Sequence, residues 1–133
     1  MGTLIDSSVL IAAEREALPI DALLARHGAS DAAVSAITAT EVLHGIHRAP
    51  AGAIKARREA FIEKLLLRLP VVPFDLVAAR IHARIGAGLA AKGTPVGDHD
   101  LLIGATALAI GYQVATRDVR SFPRIPGLKV LRW

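Results

Sequence analysis

The stretch from Val96 to Phe122 constrains the fold more than any other part of the chain. Its centre, Leu101–Ile110, is apolar or small on every side, which indicates a buried helix rather than a surface one. Gly111 should end this helix, and Tyr112–Thr116 is predicted to form a short strand directly after it. The stretch is therefore predicted to be a helix and a strand running in opposite directions.

Acidic residues flank this helix and strand at one end. A helix of about 11 residues covers roughly 16 Å, and a six-residue extended segment returns roughly 20 Å. Asp118, after the strand, should therefore lie level with Asp98 and Asp100, which precede the helix. Because these carboxylates would repel one another, we expect a positive group among them.

Two more acids follow predicted strands earlier in the chain. Asp6 comes directly after the strand Thr3–Ile5, and Glu41 lies in the first turn of a helix opened by Thr38, after the strand Ala33–Ile37. Each has a structural explanation: Asp6 as a helix N-cap, and Glu41 in a capping box with Thr38. Neither residue indicates a site when it is considered alone.

The order of elements predicts an α/β fold with a parallel sheet covered on both faces. In such sheets functional groups gather beyond the carboxyl ends of the strands, where all these acids should lie. We expect one domain spanning residues 1–133. The other predicted elements are a helix after Ser7, a helix from Pro19 to Gly28, a helix at 53–69, a strand at 71–74, a helix at 76–91 and a strand at 128–131.

Composition narrows the class of protein. The absence of cysteine excludes disulfides and thiolate metal sites, and no apolar run reaches the roughly 20 residues of a membrane span. We therefore expect a cytoplasmic protein without membrane contact. The net charge of +4 favours a polyanionic partner, although an ordinary basic surface is an equal alternative.

Clustered carboxylates without cysteine or paired histidines offer hard oxygen ligands. Such ligands suit Mg²⁺ or Mn²⁺ rather than zinc. These ions activate water and neutralise charge on a phosphodiester under attack, which favours hydrolysis of a nucleic-acid backbone. A phosphatase or phosphotransferase remains open on the same chemistry.

Four motifs carry a resemblance to a known family. In their order and spacing they resemble those of the PIN-domain ribonucleases, and within these the VapC-type toxins of bacterial toxin–antitoxin pairs. The resemblance covers nearly the whole chain and implies a three-layer α/β/α sandwich with about five mainly parallel strands. The motifs are Leu4–Ile11, Thr38–Gly45, Gly97–Ala107, and Ala115–Asp118 with Phe122.

The resemblance assigns roles to individual residues. Asp6 and Asp100 match the acids that hold the metal directly. Glu41 and Asp118 match the acids that complete the catalytic cluster, directly or through water. Thr116 matches a hydroxyl residue near the metal.

Three further positions depart from this pattern or add to it. Asp98 lies two residues before the family's usual acid, so we expect an N-cap or a group behind the metal ligands. Arg117 is a candidate for contact with an RNA phosphate. Gly104 stands where the family commonly has alanine, which should loosen the helix slightly.

The resemblance implies an Mg²⁺-dependent endoribonuclease, with Mn²⁺ as a possible substitute. It also implies a homodimer and inhibition by a cognate VapB-like antitoxin within a toxin–antitoxin hetero-oligomer. The alternative is a PIN-like module that binds RNA or protein without cutting. A complete set of acids argues against that module, because carboxylates without a metal repel phosphate.

Overall fold

The computed structural model describes all residues, 1–133, as alternating strands and helices. The strands are β1 (Thr3–Ile5), β2 (Ala32–Ser35), β3 (Val71–Val72), β4 (Gln113–Thr116) and β5 (Val130–Arg132). The helices are α1 (Ser7–Arg15), α2 (Ile20–Arg26), α3 (Ala36–Arg48), α4 (Ala53–Arg68), α5 (Leu76–Ala91) and α6 (Asp98–Ile110), with a 3₁₀ turn at Phe122–Arg124.

The five strands form one sheet in the order β3-β2-β1-β4-β5, and every neighbouring pair is parallel. This confirms the predicted α/β architecture. The chain leaves β1 toward β2 on one side and later returns to β4 on the other. A crevice forms beyond the carboxyl ends of β1 and β4 at such a reversal, and ligands bind there in open α/β sheets.

Apolar residues cover both faces of the sheet, as the side-chain alternation of buried strands requires. On β1, Ile5 packs into a core cluster with residues of α1 to α4. Its neighbour Leu4 packs into a second cluster with residues of α5, α6 and β4. The sheet is therefore the middle of three layers.

The helix α6 is buried as its sequence predicts. Ile103–Ala107 is buried throughout. Gly111 ends the helix in the left-handed conformation at φ 70°, and the Tyr112 N–H donates to the Ala107 carbonyl at 2.9 Å. The chain then reverses into β4, so Asp118 returns to the end of the molecule where α6 begins.

The boundary between β2 and α3 differs from the prediction. The strand ends at Ser35 rather than Ile37, and Ser35 is the N-cap, with its Oγ accepting from the Thr38 N–H at 2.9 Å. The capping box predicted for Thr38 and Glu41 is therefore wrong, because Ser35 already satisfies that N–H. Glu41 lies in the second turn, and its carboxylate is free of a capping role.

Two short elements also differ in their bounds. The last strand covers Val130–Arg132 rather than 128–131, because Leu128 packs against the core while Gly127 turns the chain at φ 79°. The edge strand β3 has only two residues, since Pro73 lacks the N–H that would continue the ladder. None of the helices is long and apolar enough to cross a membrane.

Candidate active site

Four acids lie together beyond the carboxyl ends of β1 and β4. Asp6 follows β1 directly, and Asp118 follows β4 by two residues. Glu41 comes from α3 and Asp100 from the first turn of α6. Asp6 and Asp100 raise the pKa of Glu41, while Asp6 and Asp118 raise that of Asp100, so all four are within electrostatic reach.

Asp6 is held in place by two hydroxyl groups. It is 5% exposed, and its Oδ2 accepts from Ser8 Oγ at 2.7 Å and from Thr116 Oγ1 at 2.8 Å. Both hydroxyl oxygens already accept backbone N–H groups, from Arg117 at 3.0 Å and from Asp118 at 2.9 Å. Their hydrogens are therefore directed at the carboxylate.

The side chain of Asp6 does not cap α1, so the prediction that it acts as an N-cap is wrong. Asp6 occupies the N-cap position of α1, but its carboxylate makes no hydrogen bond to the helix backbone. Its Oδ2 instead faces Thr116, 110 residues later in the chain. The side chain belongs to the carboxylate cluster rather than to the helix end.

Burial raises the pKa of both Glu41 and Asp100 above their ordinary values. For Glu41 the largest cause is desolvation, opposed by His99 and reinforced by Asp6 and Asp100. For Asp100 desolvation is again the largest cause, opposed by a hydrogen bond with Ser121 and reinforced by Asp6 and Asp118. Such mutual destabilisation of negative charge is what a bound cation relieves.

His99 is a basic side chain beside Glu41. Its Nδ1 lies 3.4 Å from Glu41 Oε2, and its side chain is 57% exposed. The other Glu41 oxygen, Oε1, is buried without a hydrogen-bond partner. Glu41 thus has one oxygen held by His99 and one with no partner.

Two residues of the site were not predicted as such from the sequence. Ser8 lies outside the predicted site residues, yet its Oγ donates a hydrogen bond to Asp6 Oδ2. Ser121 interacts with Asp100, and its Oγ accepts from the Gly97 N–H at 3.1 Å. The position of Ser8 two residues after Asp6 was the available signal, whereas no local pattern links Ser121 to Asp100.

Asp98, Arg117 and Gly104 occupy different surroundings from the four acids. The N-cap of α6 is Gly97, so the prediction that Asp98 caps this helix is wrong. Asp98 instead lies in the first turn, where it is exposed. Arg117 is exposed, and its Nε donates to the Trp133 carbonyl at 3.3 Å. A Cβ built on Gly104 would lie 2.5 Å from Ile125 Cδ1, so this glycine permits close packing of α6.

The donor set suits a hard divalent cation, although its oxygens face other partners. No three His, Asp or Glu side chains converge closely enough to hold one ion in this conformation. Asp6 Oδ2 is turned to its hydroxyl donors, and Glu41 Oε2 to His99. The unpartnered Glu41 Oε1 and the clustered carboxylates nevertheless fit a cation that takes oxygen ligands.

Comparison with known proteins identifies the family. The family model for the PIN domain matches residues 3–128. Ribonuclease VapC1 of Rickettsia felis is 36% identical over 131 residues, which cover 98% of this chain and 96% of that protein. The tRNA(fMet)-specific endonuclease VapC of Salmonella typhimurium is 38% identical over 100 residues, covering 75% of this chain and 74% of the relative.

A solved structure agrees with this result. The DNA-bound VapBC complex of Salmonella typhimurium contains a chain that superposes with a TM-score of 0.86 at 30% identity, covering 100% of this chain and 98% of that one. The family model, the related sequences and the superposed structure therefore point to one family. The chain belongs to the PIN domain family, among its VapC ribonucleases.

Proposed function

We propose that this chain is an Mg²⁺-dependent endoribonuclease and the toxin of a VapBC-type toxin–antitoxin pair, with residues 1–133 as one PIN domain. The observation that carries the proposal is the cluster of Asp6, Glu41, Asp100 and Asp118 in the crevice beyond β1 and β4. Four carboxylates in mutual repulsion are poorly suited to binding phosphate by themselves. With a cation among them they suit phosphodiester hydrolysis.

PIN-domain ribonucleases are generally metal-dependent. In this chain Asp6 and Asp100 would hold the metal directly, with Mg²⁺ preferred and Mn²⁺ as a substitute. When bound, the metal supplies charge neutralisation at the phosphate and a lowered pKa of water. Asp6 contributes preorganisation, because its two hydroxyl donors hold the carboxylate in a single orientation.

The remaining acids have a role in positioning water. Glu41 and Asp118 would complete the cluster through direct or water-mediated contacts and orient the attacking water. Asp118 is held by the Arg120 N–H, which donates to its Oδ1 at 3.0 Å. Thr116 would support Asp6 through its hydroxyl group, and Arg117 would contact an RNA phosphate.

The related structure from Salmonella typhimurium points to the partner. That structure is a VapBC complex, and we infer a VapB-like antitoxin for this chain. Two clefts, of about 450 and 610 Å³, adjoin one another where α1 meets α4 and share Glu14 in their lining. The first is also lined by Glu41, so a chain bound along it would reach the acids and block the site.

The test is cleavage by the purified chain, free of antitoxin, of total cellular RNA and of initiator tRNA. Initiator tRNA is included because the Salmonella relative is named for it. We expect discrete fragments with Mg²⁺, none with EDTA, and none from Asp100→Asn. The matched control Glu63→Gln removes an exposed acid of α4 and should cut like the wild type.

Either of two results would overturn the proposal. Fragments that persist in EDTA or in Asp100→Asn would show that a contaminant or another site cuts the RNA. RNA that is bound but never cut with any divalent ion would establish the non-catalytic binding module instead.

A further inference from the structure

A third cleft opens beside Asp100 and Asp118. Its volume is about 500 Å³, within the range of sites that hold a ligand the size of a nucleotide. Only one of its eight lining residues is hydrophobic, so its walls are suited to a charged backbone rather than to a stacked base. The two acids form one part of the wall, and Arg120 and Arg124 form another.

The side chains of the two arginines are not paired with a carboxylate. Neither takes part in any of the ion pairs of the structure, although both line a cleft that contains acids. Both residues are exposed. Arg124 uses one guanidinium nitrogen to donate to the Pro95 carbonyl at 2.8 Å, and no hydrogen bond engages the side chain of Arg120.

The segment that carries these arginines is anchored at several points. The Arg120 N–H donates to Asp118 Oδ1, and Ser121 Oγ accepts from the Gly97 N–H. Phe122, at the start of the 3₁₀ turn, is fully buried. The two guanidinium groups therefore extend from a backbone whose position relative to Asp118 is set.

We propose that Arg120 and Arg124 bind the RNA phosphate next to the scissile one, and so set the register of the strand across the acids. The inference rests on the proposed ribonuclease function. An RNA strand presents phosphates at regular intervals, so one phosphate at the acids places its neighbour in the adjoining cleft. Arginine suits that position, because its planar fork binds two phosphate oxygens at once.

This subsite differs from the contact expected of Arg117. That side chain is not part of the cleft wall, and its Nε is bonded to the Trp133 carbonyl. The contact predicted here reads the backbone and not the bases, so it should position RNA of any sequence. Its loss should weaken binding of all RNAs alike.

The test measures binding separately from cleavage. A short fluorescein-labelled single-stranded RNA of mixed sequence is titrated with each protein in EDTA, by fluorescence anisotropy at several salt concentrations. Arg120→Ala should weaken binding by roughly 10-fold, since hydrogen bonds to charged groups carry that much. It should also lower the slope of log Kd against log salt by about 0.7, the value for one single-strand phosphate contact.

Matched variants distinguish the loss of a contact in the cleft from the loss of one positive charge elsewhere on the surface. Arg84→Ala removes an exposed, unpaired arginine of α5 that does not line the cleft, and it should bind like the wild type. Arg120→Lys should keep the salt slope while losing part of the affinity. Arg124→Ala should reproduce Arg120→Ala, with a thermal melt to detect any loosening of the loop at Pro95.

Cleavage assays with Mg²⁺ complete the test. Arg120→Ala should raise KM by roughly the same 10-fold and leave kcat within a few-fold, because the contact precedes the chemical step. If Arg120→Ala matches Arg84→Ala in affinity and salt slope, the subsite is absent, whether or not the wild type cuts RNA. If the wild type binds normally but cuts nothing, the ribonuclease proposal fails instead, and the subsite is judged by the binding data alone.

Discussion

Among individual residues, the Asp6 carboxylate shows most clearly how the fold builds the site. Its two hydroxyl donors come from opposite ends of the chain, Ser8 beside it and Thr116 at the end of β4. The donors are in turn oriented by backbone N–H groups. A carboxylate that is buried and doubly bonded in this way has little freedom to turn away from a ligand.

Thr116→Val tests this arrangement, because valine keeps the shape and removes the hydroxyl. We expect activity to fall roughly 10–100-fold, as for other groups that orient a metal ligand. Stability should fall by about 1–3 kcal/mol, because the Asp118 N–H loses its acceptor. The measurements are RNA cleavage and thermal unfolding.

Thr106→Val is the control for that substitution. Thr106 is equally buried, but its Oγ1 donates to the Leu102 carbonyl within α6, away from the acids. It should retain cleavage. Equal loss of activity in both variants would show that buried hydroxyls matter only for stability.

Asp100→Asn should stabilise the metal-free protein at neutral pH. The pKa of Asp100 is raised in the folded state, so ionisation of this side chain opposes folding. The free energy of unfolding is therefore undiminished below the ordinary pKa of 3.8, and it declines as the pH rises through the raised pKa. Removing the charge should therefore raise the free energy of unfolding by about 0.5–2 kcal/mol at pH 7 and leave it unchanged at pH 3. Urea unfolding in EDTA at both pH values measures this.

The exposed neighbour Asp98 supplies the comparison. Asp98→Asn should change stability by less than about 0.5 kcal/mol, because this side chain lies in solvent. Adding Mg²⁺ should raise the melting temperature of the wild type and leave Asp100→Asn unchanged. A variant no more stable than the wild type in EDTA would mean that neither burial nor the neighbouring acids disfavour the charge of Asp100.

Among the helices and strands, α6 connects the core to the site. Its first turn carries Asp100, and its middle is packed on all sides. Gly104 lies where the sequence resemblance suggests alanine, and intrinsic propensity alone would favour that replacement. Ile125 packs so closely against Gly104 that the methyl group of an alanine would clash with it, so glycine is favoured at this position.

Gly104→Ala should therefore destabilise the protein, by about 1 kcal/mol net of the helix propensity gained. Gly88→Ala, in the open face of α5, should instead stabilise by about 0.5–1 kcal/mol. Adding Ile125→Val to Gly104→Ala should recover part of the loss, because it removes the crowded methyl group. Thermal unfolding of the four proteins is the measurement, and a stabilised Gly104→Ala would contradict the packing argument.

The chain as a whole exposes large apolar side chains near the short edge strand β3. Val71, Leu76 and Val77 are 44%, 65% and 55% exposed. Exposed apolar residues next to an edge strand are typical of association surfaces. They agree with the homodimer that the sequence resemblance implies.

Replacing Leu76 and Val77 by glutamate should dissociate the homodimer that the sequence resemblance implies. Acidic residues in the first turn of α5 favour the helix dipole, so the fold should be kept while the surface becomes charged. Sedimentation velocity should show a monomer, whereas Ile110→Lys, at the far end of α6, should remain dimeric. A monomeric wild type would rule out the dimer, and an unchanged double variant would place it elsewhere.

Much of this architecture could be predicted from local patterns. The apolar stretch that became α6, the glycine that ends it, and the acids after β1 and β4 were all visible in the sequence. Helix and strand periods report which faces are buried, and alternating elements imply a parallel sheet. The acids themselves were therefore found, and their common location at one sheet edge followed from topology.

Tertiary structure alone decided the contacts within that edge. Ser35 rather than Thr38 is the N-cap of α3, because its Oγ accepts a hydrogen bond from the Thr38 N–H. Thr116 meets Asp6 only because β1 pairs with β4, and Ser121 meets Asp100 only because the chain after β4 folds back on α6. Periodicity encodes burial one element at a time, whereas hydrogen-bond partners far apart in the chain are brought together by strand order and packing.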